Sequence, residues 1–322
     1  MDIFLAIVLL IVGLVLIIKG GDIFVDGASW FAEVFGIPKI IVGATIVSIA
    51  TTLPEMFVSL IAAIGGSTEM AIGNAVGSVT ANLGLAFALS VLFIPMAIKR
   101  SDFMVKALLM LLASVTLLIF GFIGTLTWHG CVILLAIFVA FFTLNIVEAK
   151  KELKLSEKQE KAEVTGKKIA INIVKFILGA FGIAFGAKLL VDNATILCQK
   201  AGISEAVIAA TVLAVGTSLP EIVTAITSII KKQSSLSVGN IIGANIIDLA
   251  VILPICTLVG GGSLVIGRQA MLLDLPICVG IILLGILPPI FSQKLQRWQG
   301  VVMVSSYALY IVAMVLMAIG LF

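Results

Sequence analysis

Two glutamates stand where hydrocarbon should exclude them. The run IIVGATIVSIATTLPEMFVSLIAAIGG, beginning at Ile40, carries Pro54 and Glu55 at its centre, and AATVLAVGTSLPEIVTAITSII, beginning at Ala209, carries Pro220 and Glu221. Hydroxyls surround both acids. Ser48, Thr51 and Thr52 precede Glu55 at the spacings that place helical residues on one face, and Thr217 and Ser218 precede Glu221 in the same way. One helix further on, Ser78 and Asn82 are four apart, with Ala244 and Asp248 in the matching places of the second run. Every convergent donor is an oxygen, with no His or Cys among them. Such a set suits a hard cation: calcium takes 6–8 oxygens at about 2.3–2.6 Å, and sodium accepts the same donors at lower charge.

The prolines explain how backbone oxygens could join the set. Pro54 has no N–H to give the carbonyl of Ala50, and Pro220 none for Gly216. In a bilayer such freed carbonyls are tolerated only where they are buried in protein or line a wet cavity. A charged group at mid-span is costly and usually functional, and no Lys or Arg in these two runs is placed to pair with the glutamates.

The elements that must position these residues are membrane helices. With 61% hydrophobic and 11% charged residues and a mean hydropathy of +1.28, the chain lies far from water-soluble domains, in which about a quarter of residues are charged. The spacing predicts ten spans, near 3–19, 40–64, 71–97, 103–124, 130–147, 169–191, 205–230, 236–259, 269–290 and 300–321. The first run lacks a basic n-region and a cleavage site, so it is expected to remain as a span. The stretch EAKKELKLSEKQEKAEVTGKK, 148–168, is expected to be a cytoplasmic loop because it carries seven lysines. Alternation then puts Lys19, Lys39, Lys99, Arg100, Lys231, Lys232, Lys294 and Arg297 on the same side, Lys188, Lys200 and Arg268 outside, and both termini outside. The net charge of +3 follows this topology and implies no nucleic-acid partner.

An internal repeat organises the spans. GATIVSIATTLPEMFVSLIAAIGGSTEMAIGNAVGSVTANLG, from Gly43, aligns without gaps on AATVLAVGTSLPEIVTAITSIIKKQSSLSVGNIIGANIIDLA, from Ala209, at a constant offset of 166. The offset also carries Asp26 onto Asp192 and Gly36-Ile37 onto Gly202-Ile203. Five spans per half is an odd number, so the second copy starts on the opposite face. The fold class expected is an all-α membrane protein of ten helices in two inverted-topology five-helix repeats: 1–147 with its motif at 43–84, the lysine-rich loop 148–168, and 169–322 with its motif at 209–250. Secondary transporters follow this plan, holding substrate near the midplane between broken helices.

ATTLPE with GNAVGSVTAN, and GTSLPE with GNIIGANIID, resemble the paired α-repeats of the sodium/calcium exchangers of the cation/calcium exchanger superfamily, here in a compact prokaryotic-type form. The resemblance extends to the ten-span length and the central loop. It implies sodium/calcium antiport across the cell membrane by alternating access, with spans one and six sliding over the rest, and no catalysis and no cofactor. Residue by residue it implies a calcium site of Glu55 and Glu221 with oxygens of Thr51 and Thr217. It implies sodium sites using the carbonyls of Ser48 and Ala214 and the side chains of Thr52, Ser78 and Ser218, with Asn82 and Asp248 at the central position. The partners implied are calcium, sodium and the lipid bilayer, the chain working as a monomer without a separate calcium-sensing domain. Two departures bear on this: Ala244 replaces a serine usual in the second repeat, which weakens the carry-over of stoichiometry, and Thr52 replaces a serine while keeping the hydroxyl.

Rival readings stay open at this point. Proton-coupled calcium exchangers typically have an acid where this chain has Gly77 and Gly243, and potassium dependence is not decided by these residues. An intramembrane aspartyl-type enzyme needs two acids sharing a proton but neither the hydroxyls nor the prolines. A channel fits poorly, because a charge-dense site repeated in inverted orientation suits binding and alternate exposure rather than rapid release. Elsewhere, Cys131, Cys198, Cys256 and Cys278 are dispersed and read as inert small hydrophobes, and His129 as interfacial. Trp30, Trp128 and Trp298 fall near span ends, as an aromatic belt does. Asp26 and Asp192 read as helix caps; Asp274, inside span nine, has Arg268 as a candidate partner one and a half turns earlier, and its role stays open.

Overall fold

The computed structural model describes residues 3–93, 100–156, 166–202, 212 and 214–321, and these are helical apart from short turns and one small ribbon. The order is α1 (Ile3–Phe35), α2 (Lys39–Thr51), α3 (Leu53–Ile64), α4 (Thr68–Phe93), α5 (Arg100–Ile123), strand β1 (Thr125–Thr127), α6 (Trp128–Ser156) and α7 (Gly166–Lys200). The one-turn α8 (Ala214–Gly216), α9 (Leu219–Ile230), α10 (Ser234–Val259), strand β2 (Ser263–Val265), α11 (Ala270–Ser292) and α12 (Arg297–Ala318) follow. Among the described residues, eight helices are long and apolar enough to cross a membrane, and the bent pair α2–α3 makes a ninth. The span expected at 205–230 lies partly outside the described residues.

Three sequence expectations need correction. The first and sixth spans, expected at 3–19 and 169–191, are helices of 33 and 35 residues. At 1.5 Å per residue each is about 50 Å long, more than a hydrocarbon core of about 30 Å requires, so each tilts or extends beyond it. Lys19 therefore lies in the middle of α1 rather than at a span end. Asp26 and Asp192 are likewise inside helices and cap nothing: Asp26 pairs with Lys231 at 2.7 Å and Asp192 with Lys188 at 2.9 Å. The segment expected as a loop over 148–168 is helical at both ends, since α6 runs to Ser156 and α7 starts at Gly166.

α1 and α7 lie along each other so closely that their backbones touch. A Cβ on Gly20 would come within 2.8 Å of the Ile183 nitrogen, and one on Gly179 within 2.6 Å of the Phe24 nitrogen. In lipid, where no hydrophobic force distinguishes a helix from an acyl chain, such small-residue contact is what holds helices together. The outer faces of this pair carry exposed Phe4, Ile11, Ile18, Leu178 and Phe181, as expected of a surface whose solvent is hydrocarbon.

The most buried spans are α4 and α10, which form the centre with α2–α3 and α9 packed against them. α5 packs on α11, and α12 on α4, closing the outer shell. β1 and β2 pair antiparallel, Thr125 opposite Val265 and Thr127 opposite Ser263, tying the end of α5 to the end of α10 on one face. α6 starts at the ribbon and crosses away from it, so its C-terminal end, with Lys150 and Lys151, belongs to the opposite face.

Candidate cation site

The two breaks have the same local geometry. α2 stops at Thr51, Thr52 takes φ −82°, ψ −3°, and α3 restarts at Leu53 with Pro54 in its first turn, at an angle of 46°. In the second half Ser218 takes φ −87°, ψ 5°, and α9 begins at Leu219 with Pro220 in its first turn. Proline is tolerated there because a first-turn N–H has no intrahelical partner anyway. Glu55 and Glu221 follow directly, each in the first turn of its half-helix.

One helix on, α4 and α10 each widen into a π-type turn at repeat-related places, Asn82–Phe87 and Asp248–Ile252. Such turns leave local backbone groups without their ordinary partners and cluster at functional positions. Asn82 and Asp248, expected at the central position, are the residues at which the two widenings begin.

The candidate donors are buried and under-satisfied. Glu55, Glu221, Asp248 and Ser218 are 0% exposed, and Ser78 and Asn82 are 1% exposed. Both carboxylate oxygens of Glu55, Glu221 and Asp248, the hydroxyls of Ser78 and Ser218, and Oδ1 of Asn82 have no hydrogen-bond partner in the protein among the described residues. Burying polar groups, and charges above all, without partners is costly. These oxygens therefore read as a set prepared for a cation. No three His, Cys, Asp or Glu side chains among the described residues are close enough to hold one metal ion together. Hydroxyl, amide and carbonyl oxygens must complete whatever one or two carboxylates begin.

The remaining expected donors are placed less uniformly. The Thr52 hydroxyl and the Ser48 carbonyl, expected as separate donors, bond to each other, and the Thr52 amide also reaches that carbonyl at 3.0 Å. Thr51 Oγ1 donates to Asn240 Oδ1 at 3.2 Å across the two halves. Thr217 is half-buried in a cavity wall, and Ala214 lies in the short helix α8. Two asparagines that the sequence reading passed over turn out to frame the site. Asn74 Nδ2 donates to the Glu55 carbonyl at 3.2 Å and to Ser59 Oγ at 2.9 Å, while its repeat mate Asn240 receives Thr51. Their identity at the 166 offset was the available signal.

Among the described residues, the site is reached from one face. A cavity of about 850 Å³ opens on the ribbon face and reaches both breaks, with Pro54, Asn74, Thr217 and Pro220 in its wall. Gly73 and Gly77 also line it, and a Cβ on either would meet nothing within 4 Å among the described residues. Their repeat mates are closed in. A Cβ on Gly239 would collide with the Ile40 carbonyl, and one on Gly243 would lie 2.6 Å from the Ala44 carbonyl. α10 is thus clamped on α2 toward the lysine face, while no described residue covers the equivalent wall of α4; the repeat mates of Ile40 and Ala44, at positions 206 and 210, lie outside the described residues.

The profile of the sodium/calcium exchanger protein family matches residues 5–147 and 171–316, one segment in each half of the chain. The chain belongs to the sodium/calcium exchanger family. Its relatives include an uncharacterized membrane protein of Methanocaldococcus jannaschii, 30% identical over 315 residues covering 96% of this chain and 97% of that one. The inner membrane protein YrbG of Escherichia coli K12 is 36% identical, covering 81% and 82%. The solved structure of the sodium-calcium exchanger NCX_Mj soaked with 2.5 mM Na+ and 10 mM Sr2+ superposes with a TM-score of 0.82 at 28% identity, covering 97% of this chain and 99% of that one. This exchanger-family chain is a multi-pass membrane transporter, not an enzyme, with the two-repeat fold its sequence implied.

The candidate pairing in the cavity wall is not made. Asp274 does not pair with Arg268 but accepts from Tyr310 Oη at 3.2 Å and from Gln269 Nε2 at 3.5 Å.

Proposed function

We propose that the chain is a secondary active antiporter exchanging sodium for calcium across the cell membrane by alternating access. The observation that carries this reading is the pair of repeat-related glutamates, fully buried and unpartnered at matching helix breaks, with a cavity leading to them from one face. Glu55 and Glu221 supply the two negative charges that neutralise Ca²⁺, with oxygens of Thr51 and Thr217 beside them. Sodium takes oxygens of Ser48, Thr52, Ser78, Ala214 and Ser218, and Asn82 and Asp248 occupy the centre. Charge balance makes the exchange: in a low-dielectric site two carboxylates favour either one divalent ion or several monovalent ones over no ion at all. The halves 1–147 and 169–322 act as the two inverted units, the lysine face is cytoplasmic, both termini are outside, and the chain works as a monomer.

The near rival is proton-coupled exchange with an acid in the glycine positions of α4 and α10. Gly243 leaves no room for one, since even a Cβ there would crowd the Ala44 carbonyl and the Ser48 hydroxyl, each at 2.6 Å. Calcium-45 uptake into sealed proteoliposomes under imposed sodium, potassium or proton gradients separates these branches. Uptake should follow an outward sodium gradient and vanish in Glu55→Gln and Glu221→Gln, both still monodisperse. Uptake driven by protons alone, or wild-type uptake in either variant, overturns the reading.

A further inference from the structure

The cavity on the ribbon face contains a carboxylate that the exchange site does not use. Asp274 lies in the π-type turn that opens α11, is 4% exposed, and forms part of the cavity wall with Tyr307, Tyr310 and Gln269. Its two contacts are long. The Tyr310 hydroxyl stands 3.2 Å from Oδ1 and the Gln269 amide 3.5 Å from Oδ2, whereas a hydroxyl held firmly by a carboxylate sits at about 2.5–2.7 Å. Among the described residues no Lys or Arg pairs with it. Among the described residues of the same wall the charged groups are Glu69, Asp192 and Asp274 against Lys188, and Lys188 is already tied to Asp192 at 2.9 Å.

A buried carboxylate without a counter-charge is costly, and one facing an aqueous cavity can recover that cost by drawing in a cation. The transport site gives no reason for this acid. α5, which stands in the place of α11 in the first half, has no Asp or Glu between Phe103 and Ile123. Asp274 thus belongs to one face of the protein only, the face on which the cavity opens.

We propose that Asp274 is a docking position for a partly hydrated hard cation in the outer cavity, separate from the Glu55–Glu221 site, with Asp274 as its charged ligand and the Tyr310 hydroxyl oxygen within reach. One carboxylate cannot neutralise a divalent ion, so the bound ion keeps most of its water and exchanges quickly. The position concentrates cations at the mouth of the path and does not select among them. The proposal rests on the reading of the cavity as a cation path, but its test needs no exchange.

The probe is Tb³⁺, a hard-cation stand-in whose emission is sensitised by nearby tyrosine. The chain has only two tyrosines, Tyr307 and Tyr310, and both line this cavity. In purified protein carrying Glu55→Gln, Glu221→Gln and Asp248→Asn, Tb³⁺ should give saturable tyrosine-sensitised emission that Ca²⁺ competes away. The emission should be lost when Asp274→Asn is added and kept with Asp274→Glu. If Asp274→Asn does not remain monodisperse, Tyr310→Phe supplies the second arm: it removes the adjacent sensitiser and one neutral oxygen near the ion, so emission should fall sharply while Tb³⁺ retention in equilibrium dialysis, carried by the Asp274 carboxylate, persists at somewhat lower affinity. Absence of saturable emission, emission that survives Asp274→Asn, or emission indifferent to Tyr310→Phe overturns the proposal, and none of these outcomes touches the exchange reading.

Discussion

Thr51 and Asn240 are joined across the two halves by a hydrogen bond of 3.2 Å, and the repeat-related pair, Thr217 and Asn74, makes no such bond among the described residues. Both members of the second pair line the open cavity instead. A sequence that repeats itself has therefore folded into an arrangement that does not. Thr51→Val keeps the shape but leaves the buried amide of Asn240 without any partner, a loss of about 1–3 kcal/mol. Thr217→Val removes no equivalent bond. Thermal unfolding in detergent should show Thr51→Val clearly less stable than Thr217→Val, while calcium exchange falls in both. Equal stability losses would contradict the one-sided arrangement.

The glycines of α4 and α10 give a second, conformational prediction. If the halves exchange roles during transport, Gly73 becomes the clamped position when the ribbon face closes, as Gly239 is now. Gly73→Ala should then be tolerated in the present arrangement and resist the opposite one, whereas Gly239→Ala should disfavour the present one. Val58 lies in the cavity wall, so Val58→Cys with Cys198→Ser provides a handle, the other cysteines being buried. Labelling by a membrane-impermeant thiol reagent should rise with Gly73→Ala and fall with Gly239→Ala. Parallel changes in the two variants would rule out the exchange of roles.

That asymmetry could not be read from the sequence, and the reason is physical: a repeat specifies two mirror arrangements equally, and only packing selects one. The prolines, the glutamates and the 166 offset were legible because membrane burial makes each of them expensive unless it has a role. The lengths of α1 and α7 were not legible. Lys19, Asp22 and Asp26 looked like the polar end of a span, yet Lys231 reaches back to Asp26 at 2.7 Å and to the Asp22 carbonyl at 2.9 Å, and the helix continues. The π-type turns at Asn82 and Asp248 leave no mark in hydrophobic periodicity. The three-residue ribbon strands are too short to alternate.

Stoichiometry sets the electrical behaviour. If three sodium ions exchange for one calcium, one net charge crosses per cycle, and 100 mV changes the driving force by about 2.3 kcal/mol. Calcium uptake under a fixed sodium gradient should then accelerate when a potassium–valinomycin potential makes the compartment receiving the calcium positive, because the sodium leaving carries the extra charge outward. Uptake indifferent to the clamped potential would indicate neutral exchange, which Ala244 makes conceivable by removing a side-chain oxygen from one sodium site.

Asp248 is where the repeat breaks its own charge symmetry, since its counterpart Asn82 is neutral. It is 0% exposed, both its oxygens lack partners among the described residues, and it starts the π-type turn of α10. If Glu55 and Glu221 balance Ca²⁺, as proposed, a third negative charge beside them has nothing to compensate it, and charge balance then leaves Asp248 a neutral hydrogen-bonding group when calcium is bound. With three sodium ions in the site the balance reverses, and a third carboxylate is what three positive charges require. Asp248→Asn, which copies the first repeat, should therefore keep calcium binding and calcium–calcium exchange while raising the sodium concentration needed for half-maximal sodium–calcium exchange. Isotope exchange under calcium alone, measured beside sodium-driven uptake in the same proteoliposomes, separates the two. If Asp248→Asn loses calcium–calcium exchange as completely as Glu221→Gln, Asp248 is an ionised calcium ligand and the two-carboxylate charge count is wrong.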